Sequence, residues 1–358
     1  MTEPRGGTAW DAVALGEVML RLDPGHSRIR SAHRFDVYEG GGEYNVIRAL
    51  ASAFGMRTTV LTALTNNEVG VLAQNLIRAG GVDTSHIRWA PFDDFGETNR
   101  VGLNFTERGF GVRPGVGMYD RANTAAAQLT PNDIDWQRLF QAEGVRWLHT
   151  GGIFAALSRT TGETTIAAVA AARAAGVTVS YDFNYRPSLW NRHAGSEEVI
   201  ETNRNIASHT DVMIGNELDF NGALGMDITT TSDDPIINFG NAAEQLTHTF
   251  PNITTVAATI RKATSATVND WSAAAWSNGE LHHATQYNDL QIYDRVGGGD
   301  GFAAGLIFAL LEGWSLPEAV EWGTAHGALV MTTPGDNSMV TRADVERLMS
   351  ADDATTIR

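Results

Sequence analysis

The sequence predicts an α/β protein built on a central, mostly parallel β-sheet with helices on both faces. Three observations predict it. Short runs rich in β-branched and apolar residues alternate with helical runs along most of the chain. Glycines stand where several of those helices should end, as at Gly55, Gly80 and Gly176. The chain is 43% hydrophobic and 19% charged over 358 residues, which suits a packed core and excludes disorder. No repeat, low-complexity tract or Pro-rich linker interrupts the pattern.

The elements follow in order. Residues 13–20 read as an opening strand and residues 44–54 as a helix closed by Gly55. Residues 58–64 form a β-branched strand, and residues 69–79 a helix stopped at Gly80. A strand over 145–149 precedes an Ala-rich helix over 160–175 and a strand over 177–183. Further strands are predicted over 211–214, 254–260 and 272–276. From Asp300 onward the chain reads as helical. Ser315, Pro317 and Glu318 supply the N-cap, first-turn proline and capping-box acid of one of those helices. Residues 98–120, rich in Gly and aromatics, break the alternation and read as short strands and turns: a small sheet over the main one, or an edge hairpin. In open parallel sheets ligands sit at the carboxyl ends of strands, so the loops after strands are where chemistry is expected.

Charge and cysteine content exclude several classes of function. The formal net charge is -16, which repels nucleic acid and anionic lipid. Lys262 is the single lysine. The absence of cysteine excludes disulfides and thiolate metal sites. No apolar run reaches membrane-spanning length, and the opening segment, residues 1–7, lacks a signal-peptide core. A cytoplasmic protein is expected.

The most informative segment is Asp294-Arg295-Val296-Gly297-Gly298-Gly299-Asp300. Consecutive glycines let main-chain N–H groups turn inward as an anion-binding nest, and the helix starting near Asp300 aims its positive end at the same point. A carboxylate beside an anion hole meets the needs of phosphoryl transfer to an alcohol, which requires a base and donors around the phosphoryl oxygens. Asp300 could equally be a simple N-cap. No Walker-type loop is present, and the acidic residue at dinucleotide-fingerprint distance, Glu321, falls within a helix. Adjacent His282 and His283 should point to opposite faces of a strand, as surface histidines do.

This segment resembles the C-terminal signature of ribokinase-like (PfkB) sugar kinases, with Arg295 and Gly298 departing from its usual form. Gly40-Gly41-Gly42-Glu43-Tyr44-Asn45 resembles their N-terminal signature, and residues 15–24 resemble their opening. The resemblance implies a three-layer sandwich over residues 8–350, with a β-sheet lid from about 18–40 and 97–122. It makes Asp300 the base, Gly297, Gly298 and Gly299 the anion hole, and Gly41, Gly42 and Asn45 sugar contacts. It sets ATP against Gly299, Asn216, Thr259 and Arg261. Mg²⁺ in the family lies near an Asn-x-x-Glu motif; here Asn216-Glu217-Leu218-Asp219 stands there, so Glu217 or Asp219 would act through water. A monovalent cation also belongs to the family's repertoire. Apolar lid residues such as Phe105 and Phe110 imply a homodimer or higher homo-oligomer formed through the lid.

Two arginines bear on the substrate. Arg121 follows the lid, and Arg186 follows the strand at 177–183. A guanidinium matches a carboxylate with two parallel bonds, so a sugar acid is expected. Each could instead pair locally, Arg121 with Asp120 and Arg186 with Asp182. The wording of both segments resembles 2-keto-3-deoxygluconate kinases, which implies phosphorylation of that substrate's 6-hydroxyl with Arg121 and Arg186 on its carboxylate end. A neutral ketose kinase, a nucleoside kinase and a non-catalytic sugar-binding protein remain the alternatives.

Overall fold

The computed structural model describes residues 8–350, so the opening segment read for a signal sequence lies outside the described residues. In chain order the strands are β1 (Trp10–Leu15), β2 (Met19–Asp23), β3 (Asp36–Gly40), β4 (Thr58–Thr65), β5 (Ile87–Ala90), β6 (Leu103–Glu107), β7 (Val116–Asp120), β8 (Val145–Gly151), β9 (Thr178–Asp182), β10 (Val212–Ile214), β11 (Thr255–Ala263), β12 (Val268–Ser277), β13 (Glu280–His283) and β14 (Tyr287–Gln291). The helices are α1 (Gly42–Ser52), α2 (Glu68–Ala79), α3 (Gly152–Ala155), α4 (Arg159–Ala174), α5 (Pro187–Trp190), α6 (Ser196–Ala207), α7 (Glu217–Leu224), α8 (Pro235–Thr249), α9 (Gly298–Leu311), α10 (Leu316–Val330) and α11 (Arg342–Met349).

The large sheet runs β13-β12-β11-β10-β9-β8-β1-β4-β5, with β14 also pairing β12. From β11 to β5 every pairing is parallel; β12, β13 and β14 add an antiparallel flank. Alternate residues of one strand feed opposite cores, as the period of a strand requires. Ala12 and Ala14 join the core shared with α1, α9 and α10, whereas Val13 and Leu15 join the one shared with α4, α6, α7 and α8. Helix α9 is buried nearly all round, because it lies between α1 and α10. The capping box at Ser315 forms as read, with its N–H donating to Glu318 at 3.0 Å.

The segment read as one strand over 13–20 is two. β1 ends at Leu15 and β2 begins at Met19 in a separate four-stranded sheet, β3-β2-β6-β7. Apolar periodicity cannot see the break. It arises at Gly16-Glu17-Val18, where the Glu17 carboxylate is drawn to Arg121 and to the Thr124 hydroxyl at 2.5 Å. The region over 98–120 supplies β6 and β7 of that small sheet, and so is no hairpin on the main sheet's edge. Strands β13 and β14 escaped the reading because they are short, polar and half-exposed. His282 and His283 lie on β13, where His283 Nε2 meets Ser272 Oγ at 2.9 Å. No helix among the described residues is long and apolar enough to cross a membrane.

Candidate active site

Asp300 stands in the first turn of α9, half-buried. Asn45 Nδ2 donates to its Oδ2 at 2.7 Å. Asn45 is itself oriented from α1: its Oδ1 accepts the Gly41 N–H at 3.2 Å, and its own N–H donates to Gly41 O at 2.7 Å. The amide therefore has one sensible orientation, oxygen toward Gly41 and nitrogen toward Asp300. Gly41 is required to be glycine, since a Cβ there would lie 1.9 Å from Glu17 O.

Burial pushes the Asp300 carboxyl up to about 7; the Asn45 bond opposes the rise, and the negative Asp336 and Glu43 add to it. Two further acids share this environment. Burial raises Asp182, at the carboxyl end of β9, to about 8, aided by the charges of Asp300 and Asp219. Burial raises Glu43 to about 7, although Glu43 Oε1 accepts the Phe154 N–H at 3.0 Å. Carboxylates pushed upward by burial and by one another hold protons near neutral pH, and a catalytic base functions best in that range.

The glycine run forms the donor side. Gly297 caps α9 in the left-handed region at φ 86°, and a Cβ there would lie 2.2 Å from Asp336 O. Among the described residues the Gly299 and Asp300 N–H groups donate to no acceptor, and the Gly298 N–H reaches only Arg295 O, at 3.5 Å. Unpaired amides at the start of a helix, with the helix dipole behind them, can hold an anion.

Arg186 follows β9, exposed, donating only to Tyr185 O at 3.4 Å. It makes no ion pair with Asp182 or any other acid among the described residues, yet its charge lowers Asp182, Asp219 and Asp300. Arg121 does not pair with Asp120, which binds Arg100. Instead its Nε donates to Glu17 Oε2 at 3.0 Å, and its Nη2 binds the same oxygen.

Of the residues that the sequence suggested for nucleotide and metal, Asn216 caps α7, its Oδ1 accepting the Leu218 N–H at 2.9 Å. Asp219 accepts the Tyr185 N–H at 3.1 Å and the Asn216 N–H at 3.0 Å, leaving each oxygen one lone pair. Glu217 stands in the first turn of α7 and forms no ion pair among the described residues. No three acids or histidines among the described residues cluster as direct metal ligands. Thr259 lies in the middle of β11 and Arg261 near its carboxyl end, and burial together with neighbouring Arg295 lowers Arg261.

Residues 11–343 match the family described as pfkB family carbohydrate kinase. The chain belongs to the PfkB family of carbohydrate kinases. This PfkB chain is a sugar kinase with the ribokinase-like fold. It is 35% identical to a 2-dehydro-3-deoxygluconokinase of Thermotoga maritima, whose crystal structure superposes with a TM-score of 0.86 over 96% of this chain and 100% of that one. It is 29% identical over 345 residues to a 2-dehydro-3-deoxygalactonokinase of Haloferax volcanii, covering 96% of this chain and 98% of that one. It is also 29% identical to a 2-dehydro-3-deoxygluconokinase of Bacillus subtilis, over 95% of this chain and 96% of that one. An E. coli protein solved in complex with ATP and Mg²⁺ shares the fold, with a TM-score of 0.76 at 17% identity over 96% of this chain and all of that one.

Sequence reasoning quoted Glu43 and Asp182 without assigning them to the site. Asp182 ends a parallel strand, the position where ligands are expected, and that was the available signal. Glu43 had a weaker one, its place between the glycine run and Asn45.

Proposed function

We propose that this sugar kinase transfers the γ-phosphoryl group of ATP to the 6-hydroxyl of 2-keto-3-deoxygluconate or a closely related sugar acid. The observation that carries the acid reading is Arg186, an exposed guanidinium without an acid partner among the described residues, whose charge nonetheless acts on Asp182, Asp219 and Asp300. A substrate carboxylate supplies the missing partner through two parallel charge-assisted bonds. Arg121, with Nη1 still uncommitted beside Glu17, takes the same end of the substrate. The relatives named for dehydro-deoxy sugar acids support this reading.

The sugar sits against Gly41, Gly42 and Asn45, its hydroxyl facing Asp300. As the hydroxyl oxygen bonds to the γ-phosphorus, its proton passes to the Asp300 carboxylate. The bond from the γ-phosphorus to the bridging oxygen breaks, and ADP leaves with that electron pair. The N–H groups of Gly297, Gly298 and Gly299, joined by that of Asp300, carry the charge on the phosphoryl oxygens. Asn216, Thr259 and Arg261 line the nucleotide side. Glu217 and Asp219 fit Mg²⁺ held through water, since one is free of cations and the other keeps a lone pair on each oxygen; the ion supplies neutralisation of the phosphates.

A neutral ketose is the second reading, favoured by one observation: Glu17 already neutralises Arg121. An ATP-coupled panel of keto sugar acids, ketoses and nucleosides tests the proposal. Arg186→Ala should raise KM for the acid roughly 10- to 100-fold, the worth of a charged two-bond contact, and barely affect a neutral sugar. Faster turnover of fructose or ribose than of the keto acid would rule the acid reading out.

A further inference from the structure

Arg21 lies in the middle of the small sheet, on β2, and is fully enclosed at 0% exposure. Its Nη1 donates to Asp336 Oδ1 at 2.5 Å, and its Nη2 to Asp23 Oδ2 at 3.0 Å and to Asp294. Its Nε has no partner. Neither distant carboxylate is incidental to the anion hole. Asp294 opens the segment that leads into Gly297, and its Oδ1 accepts the Val296 N–H at 3.2 Å while its Oδ2 accepts the Gly335 N–H at 3.3 Å. Asp336 has its carbonyl against Gly297, the left-handed residue that turns the amides inward. One guanidinium on the small sheet therefore holds both sides of the phosphate-binding turn.

A second arginine repeats the connection. Arg108, just after β6, has its guanidinium 4.6 Å above the Tyr293 ring and its Nε 3.4 Å from Asp23. Two strands of the small sheet thus reach the residues immediately before the glycine run. Stability alone is a poor reason for such an arrangement. A buried ion cluster loses as much in desolvation as it gains in attraction, and apolar side chains of similar size would pack as well. A two-pronged fork joining two separate parts of the fold does something packing cannot: it fixes their relative orientation through directed bonds.

We infer that Arg21 is a positioning residue that couples the lid to the phosphate-binding loop, so that sugar under the lid and nucleotide in the anion hole bind cooperatively. The inference rests on the proposed use of the cleft, with the small sheet as lid and the glycine run as phosphate site. When the lid closes over a sugar, β2 draws Asp294 and Asp336 into register, and the amides of Gly298, Gly299 and Asp300 converge. By linkage, nucleotide in the hole favours the closed lid to the same degree.

The test is calorimetric titration of the full chain with Mg²⁺ and AMP-PNP, with and without a saturating sugar. The sugar is whichever the substrate panel shows is turned over best, so a wrong substrate class is exposed by the panel and leaves this measurement intact. Wild type should bind the analogue at least about fivefold tighter with sugar present. Arg21→Lys keeps the charge and loses the fork; its ratio should fall toward one, with affinity for the analogue alone changed less than about threefold. A residue that only stabilises the fold would lower the unfolding temperature and leave the ratio as it was, and that result overturns the inference. So does a wild-type ratio of one. Should Arg21→Lys not fold, Arg108→Gln decides at the more exposed end of the same connection: a reduced ratio supports the coupling and an unchanged one refutes it.

Discussion

Replacing Asn45 by alanine should move the pH dependence of the reaction, and the direction and size follow from the site. Asn45 Nδ2 donates to Asp300 at 2.7 Å and lowers a carboxyl that burial holds at about 7. A hydrogen bond to a charged group contributes about 1.5–3 kcal/mol, and about 1.4 kcal/mol corresponds to one pKa unit. The lower figure takes Asp300 from about 7 to about 8. At pH 7 the ionised fraction then drops from roughly a half to roughly a tenth, about fivefold in kcat/KM, because that ratio reports the free enzyme's base. The assay is ADP release between pH 5.5 and 9.5 on both proteins, with circular dichroism to verify folding. The acid limb should move up by about one unit. Because Asn45 also touches the sugar in the proposed site, part of the loss is independent of pH, and the position of the limb decides: an acid limb that stays in place refutes Asp300 as the base tuned by Asn45. The variant also leaves the Gly41 N–H without its partner, about 1 kcal/mol of stability that the pH profile does not register.

Three further outcomes are expected. Asp300→Asn should cut kcat by roughly 10²- to 10⁴-fold while the nucleotide still binds by calorimetry, and near-normal turnover would contradict general-base catalysis. Asp182 has its folded value raised to about 8, far above its ordinary 3.8. Such a group adds stability at low pH that is lost as pH rises through the folded value, so the wild type should melt at lower temperature at pH 9 than at pH 6. Asp182→Asn, neutral throughout, should melt about 2 °C or more above wild type at pH 9; an identical pH slope in both would show that Asp182 is not the source. Finally, β7 is exposed along its whole length and carries Val116, Met118 and Tyr119 on an unpaired sheet edge, a surface that invites a second copy. Light scattering should give a dimer mass for wild type and a monomer for Met118→Glu, and a monomeric wild type would end that proposal.

Much of the site was legible because its chemistry is local. The left-handed Gly297, the free amides after it and the acid in the first turn of α9 lie within a few consecutive residues, and backbone geometry over such a stretch follows from residue type. The same holds for the capping box at Ser315. What could not be read was pairing. Arg121 had an acid next to it in sequence and chose Glu17, which is 104 positions away. The opening strand looked continuous because apolar periodicity records burial and does not record which sheet buries it.

The sequence alone determined the α/β layering, the glycine turn before α9 and the acid in its first turn, since these depend on period, glycine and helix polarity within short windows. Only the tertiary structure decided which charges meet: Asn45 with Asp300 across 255 positions, Arg21 with Asp336 across 315, and Glu43 and Asp182 as carboxyls that hold protons near neutral pH. The reason is physical. A backbone turn is set by its own residues, whereas a charge takes its energy from whatever the fold brings within a few ångströms and from the water the fold excludes.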